Sequence, residues 1–495
     1  MLIQKQESSY PLFELAGINL LGQHDMGSEG EGVRFDFLGL PGVITTEEPI
    51  YGKCTVQVTA EQVEVPTYPG CTCFNCEVKP HSPFRQSTIL DMPHGRKSLC
   101  ITLKRHRWKC KSCGDTVTQP ISFMAEGHHR ITQRLLEYIQ VEALLRTDLN
   151  VAEETGVCVR VVREIRTRFV ERLRREVQFE TPRVLGLDGV RADASKRIIF
   201  TDIEKGLVLD LITSGCKNSI RERLEAFPQA HQIQIVLIDM CRTLRQAVLE
   251  ELPLAVIIID RFHIMRSANQ VMDKVRNRLY PKRKKDREPG QTERPRPEPF
   301  RQRRGPAGEA GREHRERWFL RRPELELAYD LKEAFLEIFD HETYSAEPMS
   351  KAAARRRYEQ WVQRLSADKK HEELRKEFDK IITTMANWGE YVFNYFDFPF
   401  TNAFTESMNR KVKDVKRDTR GCSFNTVQGR AVFGHFIRKQ MIEAREQEAA
   451  IIRKPSKRRR QIDSTKSGAG CKAGEGSAPL YRTLEYVQTV LEFTN

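Results

Sequence analysis

The chain has 495 residues, enough for two to four ordinary domains, and its 82 Lys and Arg against 68 Asp and Glu leave a formal charge of +14. That balance points to a polyanionic partner, nucleic acid before any other. Only 39% of residues are hydrophobic, apolar runs such as PLAVIIID are far too short to cross a bilayer, and the start does not resemble a signal peptide, so a soluble, cytoplasmic protein is expected.

Residues 1–50 read as an irregular segment, with Gly-rich GSEGEG and one predicted strand at GVRFDFLGL. Residues 51–122 begin with the alternating KCTVQVTAEQVEV, the period of a half-buried strand. Seven of the twelve cysteines (Cys54, Cys71, Cys73, Cys76, Cys100, Cys110 and Cys113) lie there, a clustering that favours metal over a disulfide framework. Two CxxC knuckles, Cys73/Cys76 and Cys110/Cys113, bracket the strand-like SLCITLKRHRWK and deliver four thiolates to one tetrahedral Zn2+. Four protein ligands leave no open position, so this zinc is structural. Cys71 competes with Cys73 as a ligand, and a redox role is the alternative reading of such pairs.

Residues 126–178 have helical periodicity throughout, and Ala152 with Gly156 have the spacing of a helix-turn-helix. The helix that follows is expected to bury Val161, Val162, Ile165 and Phe169 and to present Arg160, Arg163 and Arg166 to a major groove or to phosphates. A three-helix bundle with a solvated basic face is the plainer alternative.

From 180 to 266 the pattern becomes α/β. Three consecutive strands are predicted in TPRVLGLDGVRADASKRIIFTDIEKGLVLDLI, with Asp188 near the centre of the first. IQIVLIDMCRTLRQAVLEELP reads as a buried strand running into a helix, with Asp239 at the strand's carboxyl end, and LAVIIIDRFHIMR repeats the design with Asp260 and His263. Ligand sites of such sheets lie at strand ends. Residues 267–396 are mostly helical, interrupted at 281–317 by a Pro/Gly-rich, charged stretch expected to be a mobile loop. Trp318, at the start of the next helix, is assigned to packing. Residues 397–445 carry a basic helix containing Glu406, and 446–495 read as a basic, disordered tail.

Asp188, Asp239 and Glu406 on converging elements would hold two divalent cations, Mg2+ or Mn2+ by their oxygen donors, as phosphoryl transfer requires. Taken singly each has an ordinary alternative: Asp239 caps a helix, Asp188 sits in a turn, Glu406 pairs with Arg410. Behind Glu406, Arg410, Lys413 and Arg417 fall on one helical stripe, joined by Lys411 and Lys416 in a run suited to DNA phosphates, while Phe404, Met408 and Val412 form a stripe for the core.

LGLDG, VLIDMCRTLRQAV, IIIDRFHIMR, ELAYDLKEAF and FTNAFTESMNRKVKDVKRDTRG occur in an order that resembles the DDE transposases of bacterial insertion sequences, closest to the insertion-sequence L-three family with its N-terminal zinc ribbon and helix-turn-helix. The likeness runs from about Cys73 to about Arg438. It implies a multidomain α/β protein whose RNase H-like core is split by a helical insertion, with Asp188, Asp239 and Glu406 as the catalytic triad and Asp260, His263 and Asn409 in support. The family commonly has Gly after its Glu, where this chain has Ser407. The resemblance further implies double-stranded DNA as partner, both terminal inverted repeats and target, metal-dependent cleavage and strand transfer, a homodimer or higher oligomer on DNA, and association with the bacterial nucleoid. A catalytically inactive, transposase-derived DNA-binding protein or repressor is the second reading, and another RNase H-like nuclease, such as a junction resolvase, the third.

Overall fold

The structure is a computed structural model and describes residues 37–62, 77–118, 121–128, 130–191, 195–283, 285, 293–304, 311–339, 349–366, 369–419 and 421–453. The chain divides into two compact units: Met1–Ile50, Val58–Ser87 and Ile101–Ser122 form the first, and Tyr51–Gln57, Thr88–Cys100 and Phe123–Asn495 the second.

The first unit is built from strands. β1 (Val43–Thr45), β2 (Ile50–Tyr51), β3 (Thr55–Gln62), β4 (Val78–His94), β5 (Lys97–Cys110) and β6 (Thr116–Thr118) follow in chain order, and β2, β3, β4 and β5 contribute residues to both units. Their sheet runs β1-β3-β5-β4, with β2 on β3 and β6 on β5. β3 alternates exposed and buried residues, as a strand with one wet face must. The strand expected at GVRFDFLGL does not extend into Phe37–Leu40: Gly39 adopts a positive φ of +57°, which turns the chain while Leu38 and Leu40 still bury.

The second unit opens with three helices, α1 (Gln133–Leu145), α2 (Asp148–Thr155) and α3 (Val159–Glu176). Thr132 and Thr147 cap the first two through their hydroxyls, and Gly156, at φ +74°, ends α2 in the left-handed conformation that glycine tolerates best. The sheet follows: β7 (Val184–Arg191), β8 (Lys196–Asp202) and β9 (Leu207–Ile212) form an antiparallel meander, then α4 (Lys217–Glu225), β10 (Ile235–Ile238), α5 (Arg242–Glu251) and β11 (Val256–Ile259). Its order is β11-β10-β7-β8-β9, with β10 parallel to both β7 and β11. All four residues of β10 are buried, because helices cover both faces of a parallel region.

Six helices come next: α6 (Arg261–Leu279), α7 (Glu298–Arg301), α8 (Arg312–Arg321), α9 (Pro323–Glu337), α10 (Lys351–Arg364) and α11 (Lys369–Phe393). They share one hydrophobic core with the outer face of the sheet. The described residues of 281–317, namely 281–283, 285, 293–304 and 311–317, are packed rather than open as their composition suggests. Phe300 is buried in that core, Arg315 is buried with Nη1 donating to Pro299 O at 3.0 Å, and Trp318 packs edge-on against Tyr280 at 4.9 Å. Charges there are paired from several elements: Arg304 with Asp330 of α9, Arg301 with Asp273 of α6 and Arg317 with Glu293, while Glu333 Oε2 accepts from Arg304 N at 2.6 Å.

The described chain ends with α12 (Ala403–Asp418), α13 (Phe424–Gly429), one π-helical turn (Arg430–Gly434) and α14 (His435–Arg453). Helix α14 continues through 446–453, so the tail expected from 446 is helical at its start, and 454–495 lie outside the described residues. These last elements hold α1–α3 against the sheet: a Cβ at Gly434 would stand 2.8 Å from Leu144 O, and one at Gly429 would stand 2.9 Å from Val170 Cγ2. Only residues without a side chain permit that approach. Among the described residues no helix is long and apolar enough to cross a membrane.

Candidate active site

Strand register assembles the site. Leu187, Ile238 and Ile259 are paired across the parallel strands β7, β10 and β11, so the next residues come side by side: Asp188 within β7, where it is still paired with β8, and Asp239 and Asp260 just past the carboxyl ends of β10 and β11. Helix α12 packs onto β7, bringing Glu406 in from its first turn. That packing depends on Gly186, where a Cβ would collide with the Thr405 and Thr201 hydroxyls, which are hydrogen-bonded to each other at 2.7 Å. Sequence reasoning singled out neither threonine, nor the role of Gly186. Two small polar side chains and one glycine carry no periodic signal.

Around the acids each supporting group has a definite position. Asn409 Nδ2 donates to Asp188 Oδ2, and Gly189 N donates to Asp188 Oδ1 at 2.5 Å. Asp260 caps α6, accepting from Phe262 N at 2.9 Å and from Asn402 N at 3.2 Å, so it ties the start of α6 to the start of α12. Those two contacts aim His263, whose Nε2 lies 3.0 Å from Asp239 Oδ1 and 3.3 Å from Glu406 Oε1. The N–H does not point along the 3.0 Å vector, and both atoms lack a well-aligned hydrogen bond. The contact is therefore an ion pair between neighbours rather than a closed donor–acceptor pair.

The electrostatics follow from crowding. Burial first, and then the neighbouring Asp239 carboxylate, push the Asp188 carboxyl up to about 7. Burial would raise Asp239 too, but the neighbouring His263, Asp188 and Lys196 together outweigh it and hold Asp239 below its ordinary value. Contact with Asp239 outweighs burial at His263 and pushes the imidazole up to about 9. Three carboxylates thus face one imidazolium, an excess of negative charge that a divalent cation relieves. The donor set is oxygen-rich, suited to Mg2+ or Mn2+. Among the described residues no three His, Cys, Asp or Glu already close around a point as a metal cage, and here His263 stands between Asp239 and Glu406. The orphaned Asp239 Oδ1 and the crowded Asp188 are the positions that fit a cation.

The basic residues divide. Arg410, Lys411, Lys413 and Arg417 are exposed on α12, Lys416 is half-buried, and Arg417 lies 2.9 Å from Asp414. Arg160 and Arg163 are exposed on α3. Arg166 is not: it is 4% exposed and donates through Nε and Nη2 to Asp148 at 2.9 and 3.2 Å, which withdraws it from any groove-reading role. Val162, Ile165 and Phe169 are buried as expected, and Val161 only partly.

Of the four cysteines assigned to zinc, Cys73 and Cys76 lie outside the described residues, as does Cys71. Cys110 is buried, and its Sγ accepts from Ser112 N at 3.3 Å and Cys113 N at 3.4 Å, while Gly114 turns at φ +82°. Backbone N–H groups aimed at sulfur stabilise a thiolate, as metal binding needs.

Residues 185–430 match a DDE transposase family model described as Transposase, that of the insertion-sequence L-three family. Over this span the chain belongs to that family of DNA-processing enzymes, which generally use divalent metal ions. No curated protein matches it.

Proposed function

We propose that this protein is the transposase of an insertion sequence, binding the element's terminal inverted repeats and catalysing metal-dependent cleavage and strand transfer at Asp188, Asp239 and Glu406. The observation that carries the reading is the strand register: residues 51 positions apart in sequence become neighbours, Asp188 within β7 and Asp239 just past the end of β10, and a helix from 167 positions further on adds the third acid. The strand order, with an antiparallel meander beside two parallel strands, supports an RNase H-like core made of 180–266 and 397–445 and split by 267–396. Residues 51–122, with Cys73, Cys76, Cys110 and Cys113, are proposed as a zinc ribbon, and 126–178 as the helix-turn-helix whose Arg160 and Arg163 contact DNA.

Asp188, Asp239 and Glu406 would hold divalent cations, whose chemistry there would be Lewis acidity toward the scissile phosphate. The chain's own residues do the rest. Asn409 and Gly189 N fix the rotamer of Asp188, Asp260 sets the start of α6 so that His263 reaches Asp239 and Glu406, and the exposed cations of α12 hold the flanking phosphates.

Asp188→Asn, Asp239→Asn and Glu406→Gln are each expected to lower Mg2+-dependent cleavage of inverted-repeat DNA by at least about 1000-fold with DNA binding retained. Cutting that persists in all three variants refutes the assignment. For the ribbon, Cys110→Ser should release zinc, and unchanged zinc content in the purified variant would refute that part.

A further inference from the structure

A cavity of about 570 Å3 lies between α2, the start of α3 and residues 419 and 421–423 beyond α12. Two arginines that line it, Arg166 and Arg430, are 4% and 6% exposed. A single carboxylate, Asp148, serves both of them and a third guanidinium: Arg166 chelates it, Arg430 Nη2 donates to its Oδ1 at 2.8 Å, and Arg163 Nε stands 3.7 Å from its Oδ2. Arg430 Nε is used by Ala143 O at 3.1 Å. The Nη1 groups of Arg166 and Arg430 have no hydrogen-bond partner among the described residues, and neither is sealed from solvent. Asp418 at the rim is the one other acid of the lining, so three guanidiniums meet two carboxylates.

Buried guanidiniums with open donor edges are costly unless something accepts from them, and their planar forks match a tetrahedral oxyanion. Leu149, Asn150 and Arg163 are exposed, so the cavity opens on that side. We propose that this cavity is a phosphate site, filled by a backbone phosphodiester of the bound DNA. DNA as the source rests on the proposed function; the anion chemistry does not. The placement favours a phosphodiester because the cavity is lined by the start of α3, whose Arg160 and Arg163 are exposed, and by Asp418 at the end of α12, one residue after the exposed Arg417.

Full-length protein is tested with inorganic phosphate, then with inverted-repeat DNA. Phosphate at matched ionic strength should raise Tm, and the rise should vanish in Arg163→Gln and in Leu149→Glu, two exposed positions at the rim. Both variants should reduce the slope of log affinity for the DNA against log salt by about one. Phosphate without effect on the wild-type Tm overturns the site, as does an effect that survives both variants. Loss of the phosphate effect with an unchanged salt slope overturns the phosphodiester and marks a free-anion site. None of these readouts needs cleavage, so a protein that binds but does not cut counts against the proposed function alone.

Discussion

At Lys332 and Glu333 in α9 each buried charge meets its opposite. The ammonium has Glu333 Oε1 at 2.7 Å, Phe300 O at 3.0 Å, Gln302 O at 3.2 Å and the Tyr329 ring at 4.3 Å, and burial still pushes it down to about 8. At the strand ends three carboxylates share one imidazole, and Asp239 Oδ1 has no aligned donor. Both clusters fall in stretches quoted as family motifs, and Glu333 Oε1, like Asp239 Oδ1, lacks an aligned donor; yet the first matches one acid with one base and is closed in charge, while the second leaves three acids to one imidazole and is open. Charge closed by the chain serves the fold; charge left open awaits a ligand.

Three experiments bear on that contrast. The largest effect is expected at the closed pair, where Glu333→Gln leaves the Lys332 ammonium with carbonyl oxygens and a ring in place of its acid, and should cost about 3–5 kcal/mol in denaturant unfolding. A loss below 1 kcal/mol would mean that the pair is wet and the contrast mistaken. Next, Gly186→Ala forces a methyl between β7 and α12. About 1–3 kcal/mol should be lost, and cleavage should fall far more than DNA affinity, since Glu406 is displaced while α3 is not; equal losses in both would count against Gly186 as a positioning residue. The smallest and most diagnostic effect is a gain: without metal, Asp188→Asn removes a crowded charge and should stabilise by roughly 1 kcal/mol. The same variant should abolish the rise in Tm that Mg2+ gives the wild type. Destabilisation there would show that the acids are closed after all.

Much of this site was legible because strands of a parallel sheet announce themselves as short apolar runs, and an Asp directly after such a run can lie only at the carboxyl end. VLID and IIID gave Asp239 and Asp260 in that way, and LGLDG gave Asp188. Arg166 misled for a geometrical reason. Three residues advance a helix by about 300°, so each step from Arg160 to Arg163 to Arg166 drifts about 60°, and the third arginine has rolled onto the buried face. Nothing local could reveal that Asp148 waits there, 18 positions away. The 281–317 segment misled through composition: its Pro, Gly and Arg content is that of a linker, and the acids that hold its described residues include Asp273 on α6 and Asp330 and Glu333 on α9. Gly186 was visible as a residue but silent as a contact, because its necessity belongs to Thr405, far along the chain.

The close approaches at Gly429 and Gly434 give the molecule the character of a ruler. With α1 pressed on the π-helical turn and α3 on α13, no linker separates the proposed recognition helix from the acids. The count of base pairs between a recognised sequence and the bond to be cut would then be set by helix packing, and an inverted repeat that gained or lost one base pair would no longer measure up.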